Sequence, residues 1–268
     1  MKTKDLVKEI TVSHQSKSIE EMADAHCHLD LITDKNIIKD AIFHGVKTIM
    51  TNGVDTKSNA KSLELADNKH IFALLGIDPE HASVTEEELE FNIAMIRQNA
   101  KKVVGVGEIG LDYGRVKESV PVETQKKVFE RFLDLALELN LPVTVHSRDA
   151  LEDVLQILSD RRMEAVHIHF FEGNVQQAKE VEKRGYMISV PPLQSSKRSK
   201  VIKEIAIDNI MAESDAPAAG TTPRDIERSI GIVSDAKKID FKKATDLLTD
   251  NTKRFFRIHN KEMFMRRF

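Results

Sequence analysis

The sequence predicts an α/β fold of eight strand–helix repeats, closed into a (β/α)8 barrel or laid out as a doubly wound sheet. Three observations predict it. Short apolar runs alternate with amphipathic stretches along nearly the whole chain. The length of 268 residues suits one barrel of about 250 residues, or two small domains. No Gly/Ser linker, low-complexity tract or repeat interrupts the pattern, which favours one domain. The expected boundaries are an N-terminal extension over 1–21 and a single barrel domain over 22–268.

Taken in order, the expected strands cover 22–26, 46–51, 71–76, 103–107, 142–146, 165–169, 186–190 and 209–213. Continuous apolar runs such as Val46–Met50 and Ile71–Leu75 suit strands buried on both faces, as in a parallel sheet. Between them lie helical patterns. The clearest spans 121–139, where Val128, Phe132, Leu135 and Leu139 share one stripe and Pro121 suits a first turn. Thr85 with Glu88 reads as a capping box, and Asn174 with Gln177 as a weaker variant of one. Gly45 and Gly185 stand where a helix should end before the next strand. Periodicity alone does not choose between barrel and open sheet.

Composition narrows the function classes. Hydrophobic residues at 41% supply a sizeable core, and charged residues at 31% argue against wholesale disorder. A formal net charge of −3 disfavours a protein that coats nucleic acid nonspecifically, but allows a local cationic site. The single cysteine, Cys27, excludes an intrachain disulfide and a Cys-rich zinc site. The first residues lack an apolar core segment and no run approaches a membrane span. The expectation is a cytoplasmic protein with no membrane association and no evident obligate protein partner.

The chemistry-bearing residues fall at one kind of place. His26 and His28 close the first expected strand, Glu108 follows the fourth, His146 ends the fifth, His169 the sixth, and Asp215 follows the eighth. In a barrel all C-terminal strand ends form one face, the face that hosts active sites. His26 and His28, two apart in extended chain, point to the same side, and Cys27 to the other, where packing is its expected role. Four neutral imidazoles and two carboxylates contribute about −2 and two divalent ions about +4, so the surplus favours an anionic substrate. Paired metals lower the pKa of a bound water and stabilise a phosphoryl or oxyanion transition state. Arg148, two past His146, faces the same rim and suits a phosphate or carboxylate, with Asp149 and Glu172 as structural alternatives. Tyr113 suits a hydrogen bond to substrate or stacking on a base, or packing within its loop, and Asp112 suits ordering that loop. His167 lies deeper on the same side as His169 and reads as a hydrogen-bonded core histidine. His14, His44, His70 and His259 lie off the rim. The basic run Lys197, Arg198, Lys200 and Lys203 reads as a solvated helix face, and the basic tail from Lys261 to Phe268 as a frayed or packed end.

At these residues the chain resembles the TatD family of metal-dependent hydrolases within the amidohydrolase superfamily. The carrying segments are Asp24-Ala-His-Cys-His-Leu-Asp30, Gly107-Glu-Ile-Gly-Leu-Asp-Tyr113, Leu141-Pro-Val-Thr-Val-His-Ser-Arg148, His169-Phe-Phe-Glu-Gly173, Glu213-Ser-Asp-Ala-Pro217 and Asn251-Thr-Lys-Arg-Phe-Phe256. The resemblance implies the TIM-barrel choice. It implies that His26, His28, Glu108 and Asp215 hold one divalent ion, and Glu108, His146 and His169 a second, with magnesium or manganese as the family's metal; imidazole-rich ligation adds zinc to the expected ions. It implies Asp215 and Glu108 as catalytic residues, Asp215 orienting or deprotonating the attacking water. Many members are similar to deoxyribonucleases with 3′→5′ exonuclease action, and others resemble aminoacyl-tRNA deacylases. DNA is therefore the expected substrate, and ester or amide hydrolysis the alternative; a catalytically silent metal-binding protein is the least favoured reading. Asn251 and Arg254 match a C-terminal motif expected to hold the last helix.

This chain departs from the family at Gly76-Ile-Asp-Pro-Glu-His81, where Asp78 and Glu80 replace two histidines near the substrate face. Negative charge there disfavours a phosphate and suits an ammonium group. His81 either compensates or is a plain loop residue. Phe170-Phe-Glu-Gly173 replaces a Cys-Phe-Ser-Gly run, and Phe132 a common glutamine. These changes imply an altered pocket shape with the metal positions intact.

Overall fold

A computed structural model describes residues 20–258; His14, His259, the tail from Lys261 and nearly all of the N-terminal extension lie outside them. Eight parallel strands stand in sequence order in one sheet. They are β1 (Met22–Cys27), β2 (Val46–Asn52), β3 (Ile71–Leu75), β4 (Val103–Asp112), β5 (Val143–Arg148), β6 (Val166–Ile168), β7 (Met187–Val190) and β8 (Ile210–Ala212). The helices are α1 (Lys35–Phe43), α2 (Thr56–Leu65), α3 (Glu86–Gln98), α4 (Val122–Leu139), α5 (Leu151–Asp160), α6 (Val175–Lys183), α7 (Ser196–Glu204), α8 (Ile226–Lys237) and α9 (Phe241–Phe255).

Every expected strand is present, and the sheet closes. After β8 the chain turns back on β1: Asp215 N–H donates to His26 O at 2.9 Å and His28 N–H to Ala216 O at 2.7 Å. Asp24, buried in β1, accepts Ser214 N–H at 2.9 Å and Ser214 Oγ–H at 2.5 Å. The barrel is the alternative that periodicity alone leaves open, and these seam contacts decide it.

Local signals explain the helix ends. Asn174 and Gln177 form a complete capping box on α6, the pair expected to be the weaker one. Thr85 accepts Glu88 N–H on α3, but the Glu88 carboxylate does not return to the cap. It accepts the Thr56 hydroxyl at 2.9 Å, a tertiary partner that sequence spacing does not reveal. Gly45 and Gly185 adopt φ of +105° and +73°, the left-handed turn expected at the helix-to-strand switch. Pro121 caps α4 rather than entering it.

The apolar stripe of α4 buries Val128, Phe132 and Leu135 against the outside of the sheet. A separate apolar cluster joins Met50, Phe72, Leu74, Val104, Met187 and Met211 to Phe256 at the end of α9. Asn251 holds that helix to β8 by donating to Ile207 O and Ile210 O, both at 2.8 Å. Arg254 braces Asn251 Oδ1 at 2.8 Å. Among the described residues no helix is long and apolar enough to cross a membrane.

Candidate active site

The six candidate ligands meet at the C-terminal end of the barrel. His26 and His146 lie within β1 and β5, Glu108 within β4, and His28 and His169 one residue past β1 and β6. Glu108 sits inside its strand rather than after it, because β4 continues to Asp112. Gly107 and Gly110 make this possible. A Cβ at Gly107 would fall 2.8 Å from Thr144 O, and one at Gly110 2.9 Å from the His146 backbone nitrogen, so glycine lets β4 approach β5 where Glu108 meets His146. Asp215 holds φ of +46°, a left-handed conformation costly for a residue with a Cβ.

Glu108 divides the site in two. Its Oε2 lies 3.2 Å from His26 Nε2 and 3.5 Å from His28 Nε2. Its Oε1 lies 2.9 Å from His146 Nδ1 and 2.8 Å from His169 Nε2. Asp215 Oδ1 completes the first side, 3.7 Å from His26 Nε2 and 3.5 Å from His28 Nε2. Each side offers atoms that could hold a metal ion: His26, His28 and Glu108 on one, Glu108, His146 and His169 on the other.

The donor set fits a divalent cation. His26 Nε2 and His28 Nε2 stand only 3.2 Å apart, and His146 Nδ1 and His169 Nε2 likewise 3.2 Å. Ring nitrogens that face one another and a carboxylate suit lone pairs converging on a cation far better than two adjacent protons. On two of the four rings the opposite nitrogen is held as a ligand histidine requires. His28 Nδ1 meets Asn52 O at 3.0 Å, and His146 Nε2 meets Asp112 Oδ2 at 3.0 Å.

The electrostatics follow from burial and proximity. Burial pushes the Glu108 carboxyl up, but the imidazoles of His169, His146 and His26 outweigh it and hold it well below the usual carboxylate range. Burial likewise opposes ionisation of Asp215, and the His28 and His26 rings reverse it. Both carboxylates are thus ready to act as anions. Burial and the neighbouring His169 lower His26, as expected for rings stacked with centroids 4.0 Å apart.

Above the ligands opens a cavity of about 220 Å³, walled in part by Leu31, Asp78, His81, Arg115, Arg148 and Phe170. Arg148 reaches it and approaches Glu172 at a long 3.9 Å. Arg115 enters from the loop that Asp112 orders by accepting Gly114 and Arg115 N–H at 2.9 and 2.7 Å. Tyr113 lines a neighbouring hollow instead, and its hydroxyl donates to Asp153 at 2.8 Å. Asp78 is not a free negative charge. It accepts His81 N–H at 3.0 Å and meets His81 Nδ1 at 2.7 Å, and this bond raises His81 to about 9. The pair brings a protonated imidazole to the mouth.

The remaining candidates occupy structural places. Cys27 faces away from the ligands and is buried, its thiol 3.4 Å from Met50 O. His167 is buried between Thr144 and Ser189. His44 and His70 bond Asp40 O and Lys47 O. The run from Lys197 to Lys203 lies on α7, where Arg198 covers the ring of Phe170 at 5.8 Å. Two residues have roles at the ligands that the sequence reading does not give them: Asp112, which braces His146, and Glu213, which lies 3.7 Å from His169 Nδ1. The period-two spacing of Glu213 and Asp215 was the available signal.

Residues 23–257 match the family described as TatD related DNase. The chain belongs to that family. It is 33% identical to an uncharacterized metal-dependent hydrolase, YabD, of Bacillus subtilis, over 88% of this chain and 99% of the relative. It is 28% identical to the human deoxyribonuclease TATDN3, over 88% of this chain and 94% of the relative. Among solved structures, the TatD homolog YJJV from Escherichia coli K12 superposes with a TM-score of 0.80 at 26% identity, covering 88% of this chain and 98% of that one. As a TatD-family protein the chain is a metal-dependent hydrolase, and the residue sets that meet at Glu108 could hold the metal.

Proposed function

We propose that this protein is a divalent-metal-dependent deoxyribonuclease that hydrolyses phosphodiester bonds stepwise from the 3′ end of DNA. The observation that carries it is the division of Glu108, whose two oxygens each meet a separate set of ring nitrogens. His26, His28, Glu108 and Asp215 would hold one ion, and Glu108, His146 and His169 the other, drawn from magnesium, manganese or zinc. Bound there, such ions supply Lewis-acid polarisation of a phosphoryl oxygen and lower the pKa of a nearby water. Imidazole-rich ligation favours manganese or zinc, since magnesium prefers oxygen ligands.

The residues around this centre do the rest. Asp215, kept ionised by the rings beside it, orients the attacking water and accepts its proton. Arg148 and Arg115 draw the polyanionic strand into the cavity and hold a phosphate there. Glu108 carries the shared negative charge on which both sides depend. The relatives named as deoxyribonucleases support DNA as substrate. The deacylase alternative rests on an acidic rim of Asp78 and Glu80, and the commitment of Asp78 to His81 leaves Glu80 alone to support it.

The test is cleavage of end-labelled single-stranded DNA. Protein stripped with chelator should be inert. Added manganese, magnesium or zinc should restore stepwise shortening, and Glu108→Ala should not respond to any of them. Metal-loaded protein that leaves DNA intact but releases amino acid from charged tRNA would replace this reading with the deacylase one.

A further inference from the structure

Beneath the ligands lies a chain of buried polar groups to which the reaction gives no task. Glu213 follows β8 and is fully buried. Its Oε1 accepts Phe170 N–H at 2.7 Å and its Oε2 accepts Ser189 Oγ–H at 2.7 Å. Because Ser189 gives its proton to Glu213, its oxygen accepts from His167 Nε2–H at 2.7 Å. That fixes the His167 tautomer and leaves its Nδ1 to accept the Thr144 hydroxyl, at 3.2 Å. Each donor in the series Thr144, His167, Ser189 points toward Glu213.

What Glu213 faces on its other side is the pair of stacked rings. His169 Nδ1 lies 3.7 Å from Glu213 Oε2, while its Nε2 meets Glu108 at 2.8 Å. His26 stacks on His169 at an interplanar angle of 17°. One nitrogen from each ring and one Glu213 oxygen lie within 4.8 Å of one another. The Nδ1 atoms of both rings are buried and lack a hydrogen-bond partner among the described residues. A histidine that binds a metal through Nε2 carries its proton on Nδ1, and a buried N–H needs an acceptor. Among the described residues, Glu213 is the carboxylate outside the candidate ligand set that stands against both rings.

We propose that Glu213 is a positioning residue for His26 and His169 together. It is the common acceptor that fixes the Nδ1–H tautomer of one ligand on each side of Glu108, and the series from Thr144 to Ser189 locks its carboxylate in place. The proposal rests on the ligand assignment above. It makes the two halves of the centre share an anion below as well as Glu108 above.

Zinc titrations against a chromophoric chelator test it. Glu213→Gln should bind zinc about 10- to 100-fold more weakly, the usual effect of losing such a carboxylate, with the same number of ions at saturation and an unchanged circular dichroism spectrum. In zinc-loaded wild-type protein, 15N-labelled His26 and His169 should show slowly exchanging Nδ1–H signals that the variant loses. Ser189→Ala keeps the Glu213 charge but frees one oxygen, and should weaken zinc in the same direction by a smaller factor. It keeps the proposal testable should Glu213→Gln fail to fold. Wild-type affinity with retained Nδ1–H signals would overturn the proposal. So would loss of one whole zinc equivalent, which would make Glu213 a ligand. None of these readouts uses DNA, so zinc binding as described without DNA cleavage would sink the nuclease reading and leave this one intact.

Discussion

His167 and His169 stand two residues apart near the end of one short strand, both buried, yet they belong to different regions of the barrel. His167 has both ring nitrogens satisfied, by Thr144 and Ser189. His169 turns one nitrogen on Glu108 and leaves the other without a hydrogen bond among the described residues. Burial strips the charge from His167, holding it well below the usual range. The same burial acts on His169, but Glu108 outweighs it and holds it well above that range. Residue type and depth are shared. What separates a core histidine from a candidate ligand is whether its hydrogen-bonding capacity closes on itself or stays directed at a shared point.

The sharpest way to break this comparison is at the rim. Asp215→Ala should lower the rate of metal-dependent DNA shortening by about 10³-fold or more, a loss typical of removing a group that acts on the reacting atoms. A variant that retains full turnover would move the proton acceptor elsewhere. The second test asks whether the open valences at the rim are metal valences. Adding manganese or zinc to chelator-stripped protein at about 100 times the dissociation constant should raise unfolding free energy by about 2.7 kcal/mol per site. Denaturant titrations with and without metal read this directly, and an unchanged midpoint would contradict the ligand assignment.

The third test is made one layer down. His167→Leu deprives the Thr144 hydroxyl of its ring partner and the Ser189 oxygen of one donor, and should cost about 1–3 kcal/mol of stability. Metal stoichiometry should be unchanged, so a variant that loses an ion would merge the two layers. The smallest effect is expected at the mouth. His81 is raised to about 9, chiefly by its bond to Asp78. A raised histidine pKa stabilises the fold fully below the ordinary value near 6.5, and that contribution is lost as pH rises through about 9. NMR titration of the His81 ring should show its midpoint near 9, and Asp78→Asn should return it toward 6.5. An ordinary midpoint in the wild-type protein would mean that the pair does not persist in solution.

Much of the site was legible because barrel geometry turns sequence spacing into position. Strand ends far apart in the chain share one face, so the sequence positions of His26, Glu108, His146, His169 and Asp215 already imply that they meet. The misreadings have local causes. Glu108 was expected past its strand, and glycines 107 and 110 instead let β4 run on to Asp112. The Thr85 box was expected to close, and Thr56 from another helix took the Glu88 carboxylate. Asp78 looked like bare charge near a phosphate site, and its side chain turned out to grip a histidine three residues on.

The sequence by itself determined the alternation of strand and helix, the placement of ligand-type residues at strand ends, and the family to which those motifs belong. The first two are properties of periodicity and spacing, which any extended or helical segment obeys, and the family is carried by the resemblance of the motifs. Only the tertiary structure showed the closure itself, in which Asp24 meets Ser214, 190 positions further along the chain. Only it decided which oxygen of Glu108 faces which ring, and that Glu213 lies under two of them. Hydrogen-bond direction is set by partners brought together in space, and the linear order of residues carries no record of it.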